Sequence, residues 1–387
     1  MDLRFENVDN SLFVYCPSRI DTQNAAEFET AIFKLFEEQK PKTIVLNLQD
    51  LEYISSVGLR IVLKIKKQYN DVSLVEVSSE VYEIFSMTGF TDIIDIKKAL
   101  RVVSIEGCKI IGEGFYGKVY RISPDTILKH YFKGNPVDDI ERERQNAKNA
   151  FVLGVPTAIS YDVVRVKEGG YGAVYELIDA KSLKNYLLDL GDSIDEAIKI
   201  SANLLKILNR TECISTNLPR ALDVAASWIK NISPFFSDDE NARIKDLIDT
   251  IPDDDYLIHG DCHVKNVFIQ EDEPILIDMD SMQIGANIFE YADLYIPYVA
   301  YALDDPTNQE KFFGISAKIC SDLFYGILHN VYGGRNDYEE VVEKILFLGD
   351  IHFLSKIQIT KQNFEERQNN AIKRIKERLN KLSTLKY

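Results

Sequence analysis

Cysteine is scarce in this chain of 387 residues: Cys16, Cys108, Cys213, Cys262 and Cys320, with no C-x-x-C pair. An odd number without framework spacing argues against a disulfide scaffold or a zinc site and for reduced thiols. Basic residues are also short, 45 Lys and Arg against 61 Asp and Glu, a formal net charge of −16. That deficit argues against a nucleic-acid partner, because phosphate backbones need a basic face. It suits a soluble protein, a cationic substrate or a basic protein partner. No apolar run approaches the roughly 20 residues that span a bilayer. The opening MDLRFENVDN lacks the basic start and apolar core of a signal peptide. A cytoplasmic location without a membrane partner is expected. Repeats, low-complexity tracts and Pro/Gly/Ser-rich linkers are missing too. What is there, 45% apolar and 27% charged residues, suits two or three globular domains, each with its own core.

The first hundred residues alternate short apolar runs with amphipathic stretches. Leu12 to Tyr15, Thr43 to Leu48 and Ser73 to Val77 read as strands. Between them Ala25 to Glu38 carries Phe28, Ile32, Phe33, Leu35 and Phe36 at helical spacing, and Gly58 to Tyr69 and Val81 to Met87 read as further helices. Strands alternating with helices predict an α/β layer. The segment Leu51-Glu52-Tyr53-Ile54-Ser55-Ser56-Val57-Gly58-Leu59-Arg60 resembles the strand-to-helix turn of STAS domains, the family of anti-sigma-factor antagonists. In that family a serine or threonine here is phosphorylated to switch partner binding, and Ser56 matches that position. The best-known antagonists place an aspartate just before it, where this chain has Ser55. Ser55 and Ser56 can also simply cap the helix, since a hydroxyl there accepts from free backbone N–H groups. A phosphate would be favoured by the same dipole.

The run His259-Gly260-Asp261-Cys262-His263-Val264-Lys265-Asn266, then Leu276-Ile277-Asp278-Met279-Asp280, carries what phosphoryl transfer from ATP requires. One carboxylate receives the acceptor's proton; an amide oxygen and a second carboxylate hold magnesium against the phosphates. Asp261 is the expected catalytic base, Asn266 and Asp278 the metal ligands. Cys262 reads as a small loop residue, His259 as a brace of the loop, and His263 and Lys265 as structural or solvated. Asp280 stands near the metal or contacts it.

Upstream, Ile111-Gly112-Glu113-Gly114-Phe115-Tyr116-Gly117 spells G-x-G-x-x-G. A dinucleotide-binding turn shares that spelling but opens a helix, whereas Lys118 to Ile122 is β-prone and Ser123-Pro124-Asp125 turns back into Thr126 to Lys129. The loop is therefore expected in a hairpin over phosphates, with Gly112, Gly114 and Gly117 close to nucleotide. Lys129, ending the second strand, is expected to grip phosphates. Its partner is Glu141 or Glu143 on a helix from Asp138 to Phe151, with Glu143 preferred.

These motifs resemble the aminoglycoside phosphotransferase and choline kinase branch of the protein-kinase-like fold. Gly260, His263 and Asp278-Met279-Asp280 stand where protein kinases have arginine, lysine and Asp-Phe-Gly, and no Ala-Pro-Glu motif follows. The resemblance implies a bilobed fold, a β-rich small lobe and a larger helical lobe. It makes Tyr175 a gatekeeper beside an adenine-binding linker, with backbone groups of Glu176 and Ile178 facing the base. It also makes Asp293 the helix aspartate that holds the catalytic loop's backbone. The expected division is 1–100 STAS-like, 101–180 small lobe and 181–387 helical lobe, α/β followed by α+β.

The expected reaction is transfer of the γ-phosphoryl group from ATP, with Mg2+, to a small-molecule hydroxyl, regulated or localised by the STAS part. The alternatives are a protein kinase acting on Ser56 or on a STAS partner, and a non-catalytic ATP sensor. The acceptor is not legible. Tyr291, Tyr295, Tyr298 and Tyr301 at helical spacing line a pocket or, more simply, the core. The acidic clusters Asp238 to Glu240 and Asp253 to Asp255 draw a cation or are solvated turns. A last helix, Gln362 to Lys381, is expected to pack on the domain.

Overall fold

The computed structural model describes residues 1–8, 11–114, 117–132, 134–190, 194–213, 218–271, 273–360 and 365–387. They form two compact units, Met1–Val103 and Ser104–Tyr387.

In the first unit, strands β1 (Phe5–Val8), β2 (Ser11–Tyr15), β3 (Thr43–Asn47), β4 (Asp71–Val77) and β5 (Asp95–Lys98) lie side by side in chain order. β1 is antiparallel to β2; all other neighbours are parallel. Parallel neighbours need crossovers, and helices α1 (Ala25–Gln39), α2 (Ser56–Gln68) and α3 (Ser79–Met87) supply them. The apolar stripe of α1 buries Phe28, Ile32 and Phe36 against Ile44 and Leu46 of the sheet. α2 starts two residues before the sequence pattern indicated. Ser55 caps it by accepting from the Gly58 N–H at 3.4 Å, leaving Ser56 exposed in the first helical position. Of the two serines, only Ser55 is the cap.

The second unit opens on antiparallel strands β6 (Lys109–Glu113), β7 (Gly117–Arg121), β8 (Thr126–Tyr131), β9 (Ser160–Val166) and β10 (Tyr171–Glu176), ordered β9-β10-β8-β7-β6. Helix α4 (Val137–Val152) follows β8 and buries Ile140, Glu143, Asn146, Ala147 and Ala150. The rest is helical apart from short strand pairs. Val267–Gln270 and Glu273–Leu276 form a hairpin that carries the loops on either side of it. The final helix runs Glu365–Leu379, since residues 362–364 of the expected one lie outside the described residues. It is clamped by Asp350, a fully buried carboxylate reached by Arg374 at 2.7 Å and Arg378 at 2.6 Å. Among the described residues no helix is long and apolar enough to cross a membrane.

Candidate active site

The glycine loop lies in a β-hairpin, β6 to β7, closed by the Gly114 N–H donating to the Gly117 carbonyl at 2.9 Å. Gly117 is there because the next strand is close: a Cβ would stand 2.0 Å from the His130 carbonyl oxygen. Gly112 and Gly114 have no such conflict, and Phe115 and Tyr116 lie outside the described residues.

Lys129 on β8 is the hub of the small sheet's polar contacts. Its Nζ lies 2.7 Å from Glu143 Oε1 and 2.9 Å from Asp278 Oδ1. Glu141 instead turns outward to Arg144. Glu143 is buried and takes further hydrogen bonds from the Tyr131 hydroxyl at 2.6 Å and the Tyr175 hydroxyl at 3.5 Å. Burial alone would draw Lys129 below the usual ammonium range; the carboxylates of Glu143 and Asp278 more than reverse it and hold the charge. For Asp278 burial, the largest single influence, pushes the carboxyl up, but the Lys129 charge and hydrogen bond together with His259 and His263 outweigh it and leave the group below its ordinary value. Asp278 has left-handed backbone, φ 69°, which aspartate tolerates better than most residues.

The loop from His259 to Asn266, the expected catalytic loop, is built on backbone hydrogen bonds. His259 Nε2 bonds the Ile277 carbonyl at 3.1 Å, and its Nδ1 accepts the Asp261 N–H at 3.1 Å. The first bond makes Nε2 the protonated nitrogen, and burial keeps the ring neutral. Gly260 has φ 77°, and a Cβ there would stand 2.7 Å from the Ser281 carbonyl oxygen. Asn266 Nδ2 donates to Asp261 O and to Asp261 Oδ2, both at 3.0 Å, so its carbonyl oxygen turns away from Asp261. The Ile277 N–H donates to the Asn266 carbonyl at 2.9 Å, which ties the strand before Asp278 to the loop. Asp261 keeps 44% of its side chain exposed.

Asn266 and Asp278 offer hard oxygen donors of the kind magnesium takes, and a nucleotide's phosphates and water would complete the shell. Among the described residues no cluster of three or more His, Cys, Asp or Glu could hold a metal unaided. Asp280 is 3.8 Å from Arg142. At the linker, Glu176 spends its N–H on the Ile159 carbonyl at 2.9 Å and its carboxylate on the Ile159 N–H at 3.2 Å. Glu176 ends β10, and Ile178 follows outside regular secondary structure.

One expectation is corrected. Asp293 makes no hydrogen bond to the loop's backbone among the described residues; it is 2.5 Å from His352 Nδ1. Glu290, one turn earlier on the helix Ile288–Tyr295, holds the loop in its place. The Glu290 Oε2 accepts from the His259 N–H at 2.6 Å and the Gly260 N–H at 3.4 Å. Burial pushes the Glu290 carboxyl up to about 8. Tyr298 is a second unforeseen brace, its hydroxyl oxygen accepting from the Val264 N–H at 3.0 Å. Two acids three residues apart in an otherwise apolar helix were the available signal for Glu290.

Other candidates resolve into structure. Tyr291, Tyr295 and Tyr298 are core residues. Asp238 to Glu240 form the first turn of a helix with a Ser237/Glu240 capping box, and Asp253 and Asp255 grip Arg220. Cys262 is buried, which raises its thiol well above the reactive range. His263 is wedged edge-on against Phe312 and Phe313, with Nε2 3.6 Å from Asp261 Oδ1.

The STAS domain model matches residues 2–102, and the model of the phosphotransferase enzyme family matches residues 107–311, more than half of the chain. A Bordetella bronchiseptica protein named for an anti-sigma factor antagonist, BtrV, is 31% identical over 100 residues, 25% of this chain and 85% of that protein. Among solved structures, the GDP complex of wild-type aminoglycoside 2'-phosphotransferase-IIIa is similar at 14% identity and TM-score 0.47, over 78% of this chain and 98% of that one. A choline/ethanolamine kinase family protein from Mesorhizobium loti is similar at 13% identity and TM-score 0.46, over 70% and 87%. The chain belongs to the phosphotransferase enzyme family, with a STAS domain preceding the transferase domain.

Proposed function

We propose that the second unit moves the γ-phosphoryl group of ATP to a hydroxyl of a small molecule, with magnesium, and that the STAS domain regulates or localises it. The observation that carries this reading is one connected polar system. Glu143, Lys129 and Asp278 form a chain of ion pairs, and the Asn266 carbonyl receives the N–H of the residue before Asp278 while its side chain fixes Asp261. In the proposed reaction Lys129 holds the α- and β-phosphates and Glu143 keeps it pointed. The Glu176 carbonyl and the Ile178 N–H receive the adenine, and the hairpin with Gly112, Gly114 and Gly117 covers the phosphates. Asn266 and Asp278 would hold magnesium, whose charge offsets that of the phosphates. Asp261 orients the acceptor hydroxyl and takes its proton.

The test is the fate of γ-labelled phosphate when full-length protein meets ATP, magnesium and mixed metabolites. Asp261→Asn is expected to lower turnover by ~10²–10⁴-fold with ATP affinity nearly unchanged. Wild-type turnover in that variant would sink the assignment. A second reading is favoured by one observation. Ser56 is exposed at the start of α2, whose first turn holds no acid, so a phosphate there would meet an unopposed helix dipole. On that reading the same label goes to Ser56, and is lost with Asp261→Asn.

A further inference from the structure

Beside the catalytic loop lies a pair of cations apart from Lys129. Lys265, four residues after Asp261, reaches the helix Thr307–Phe313, its Nζ 3.2 Å from the Phe312 carbonyl oxygen and 4.2 Å from the centre of the Phe312 ring. Lys184 arrives from another segment. Its backbone N–H donates to the Val264 carbonyl at 2.9 Å, and its Nζ lies 3.6 Å from where a Cβ of Gly314 would stand. Both lysines are half-buried and the Phe312 ring is 50% exposed. Neighbouring lysines have carboxylate partners: Lys181 with Asp189 at 2.7 Å and Lys311 with Asp305 at 3.5 Å. Among the described residues neither Lys184 nor Lys265 forms an ion pair with a carboxylate. In a chain of net charge −16, two cations left without carboxylates beside the catalytic loop are a local reversal of sign.

The phosphates of the nucleotide belong beside Lys129 and Asp278, so an acceptor must reach Asp261 from another direction for in-line attack. We propose that Lys265 and Lys184 dock the acceptor, and that the acceptor carries an anionic group, a phosphate ester or a carboxylate, close to the hydroxyl it presents, with Phe312 against its carbon skeleton. This rests on the reading of Asp261 as the base. In the step, the acceptor oxygen forms a bond to the γ-phosphorus and gives its proton to Asp261. The bond from that phosphorus to the bridging oxygen breaks, and ADP leaves with the electron pair. A cationic acceptor would meet two like charges here, and an anionic one needs them to approach an acidic protein.

The experiment uses full-length protein, magnesium, γ-labelled ATP and four pools: sugar phosphates, hydroxy acids, neutral polyols, and aminoglycosides with choline. The expected result is Asp261-dependent label in the sugar phosphates or the hydroxy acids, the pool telling a phosphate from a carboxylate. Lys265→Met or Lys184→Met then raises KM for the labelled acceptor about 10- to 100-fold, the loss of one charge-assisted hydrogen bond, with kcat much less affected. Lys265→Arg keeps most of the affinity. Asp261-dependent label confined to neutral or cationic pools, or an unchanged KM in both methionine variants, overturns the inference and leaves the transferase reading intact. A second readout is independent of turnover: acylation of lysines in the Asp261→Asn protein holding a non-hydrolysable ATP analogue. Slower modification of Lys184 and Lys265 with either anionic pool supports the anion site even where no label moves, an outcome that removes the transferase reading alone. No label and no protection overturn both.

Discussion

Lys129 and Lys265 are the same residue type on two sides of one catalytic loop, and the chain treats them in opposite ways. Lys129 is locked between two carboxylates, at 2.7 and 2.9 Å, with Glu143 itself fastened by two tyrosine hydroxyls. Its charge is held and its position fixed before any nucleotide arrives. Lys265 has a backbone carbonyl and an aromatic face instead, partners that orient an ammonium without neutralising it. The lesson is that fixing a charge and offering a charge need different surroundings. A cation between two carboxylates is fixed and balanced, whereas one beside a carbonyl and a ring keeps its charge unmatched.

The largest effect that would break this contrast is at Lys129. Lys129→Met leaves the buried Glu143 carboxylate facing Asp278 without a cation, and breaking a mostly buried pair costs on the order of 3–5 kcal/mol. Denaturant unfolding of the variant should lose an amount near the lower end of that range, because the Lys129 side chain is still 18% exposed. Adding Glu143→Gln should restore part of the loss, since the stranded charge is then gone. Equal stability of Lys129→Met and wild type would mean that the lysine is not pre-paired in solution.

How much of this was legible follows from what each residue bonds with. The grouping of Lys129 with Asp278 and of Asn266 with Asp261 was expected from residue type and order along the chain, and the fold brings these side chains to 2.9 and 3.0 Å. The N-terminal layer was readable because Phe28, Ile32 and Phe36 repeat at the helical period beside a β-rich run. Glu290 and Tyr298 were not, because they grip backbone N–H groups of His259, Gly260 and Val264, and a backbone partner leaves no trace in its own sequence. Asp293 was misassigned for a related reason. It shares a helix face with Glu290 one turn away, and only tertiary contacts decide which acid meets the loop and which meets His352. The meeting of Lys184 with Lys265 was hidden too, since it depends on the Val264 carbonyl receiving the Lys184 N–H.

Both sides of the comparison depend on the loop that Glu290 holds, so a milder test acts on the two together. In the folded protein burial raises the Glu290 carboxyl to about 8, while an unfolded glutamate titrates near ~4.3. The stability this group contributes is therefore full below the ordinary carboxyl range and is lost as the pH rises through about 8. Glu290→Gln keeps an acceptor oxygen for the two N–H groups and cannot ionise. Its unfolding free energy should match wild type within about 1 kcal/mol in mild acid and fall less steeply toward alkaline pH. Parallel pH profiles for the two proteins would show that the carboxyl titrates normally and that the loop is held as an ionised acceptor.

The smallest expected effect sharpens the contrast most. Lys265 makes one exposed hydrogen bond to a carbonyl and one contact with a half-exposed ring, and surface substitutions away from buried networks change stability by no more than about 0.5 kcal/mol. Lys265→Met should therefore unfold at the wild-type denaturant midpoint, and Lys184→Met likewise. A lysine that can be removed beside Asp261 at no cost to the fold is kept for something other than the fold. If either variant instead lost stability on the scale expected for Lys129→Met, the cation would be part of the scaffold, and the two sides of the loop would be built by the same rule after all.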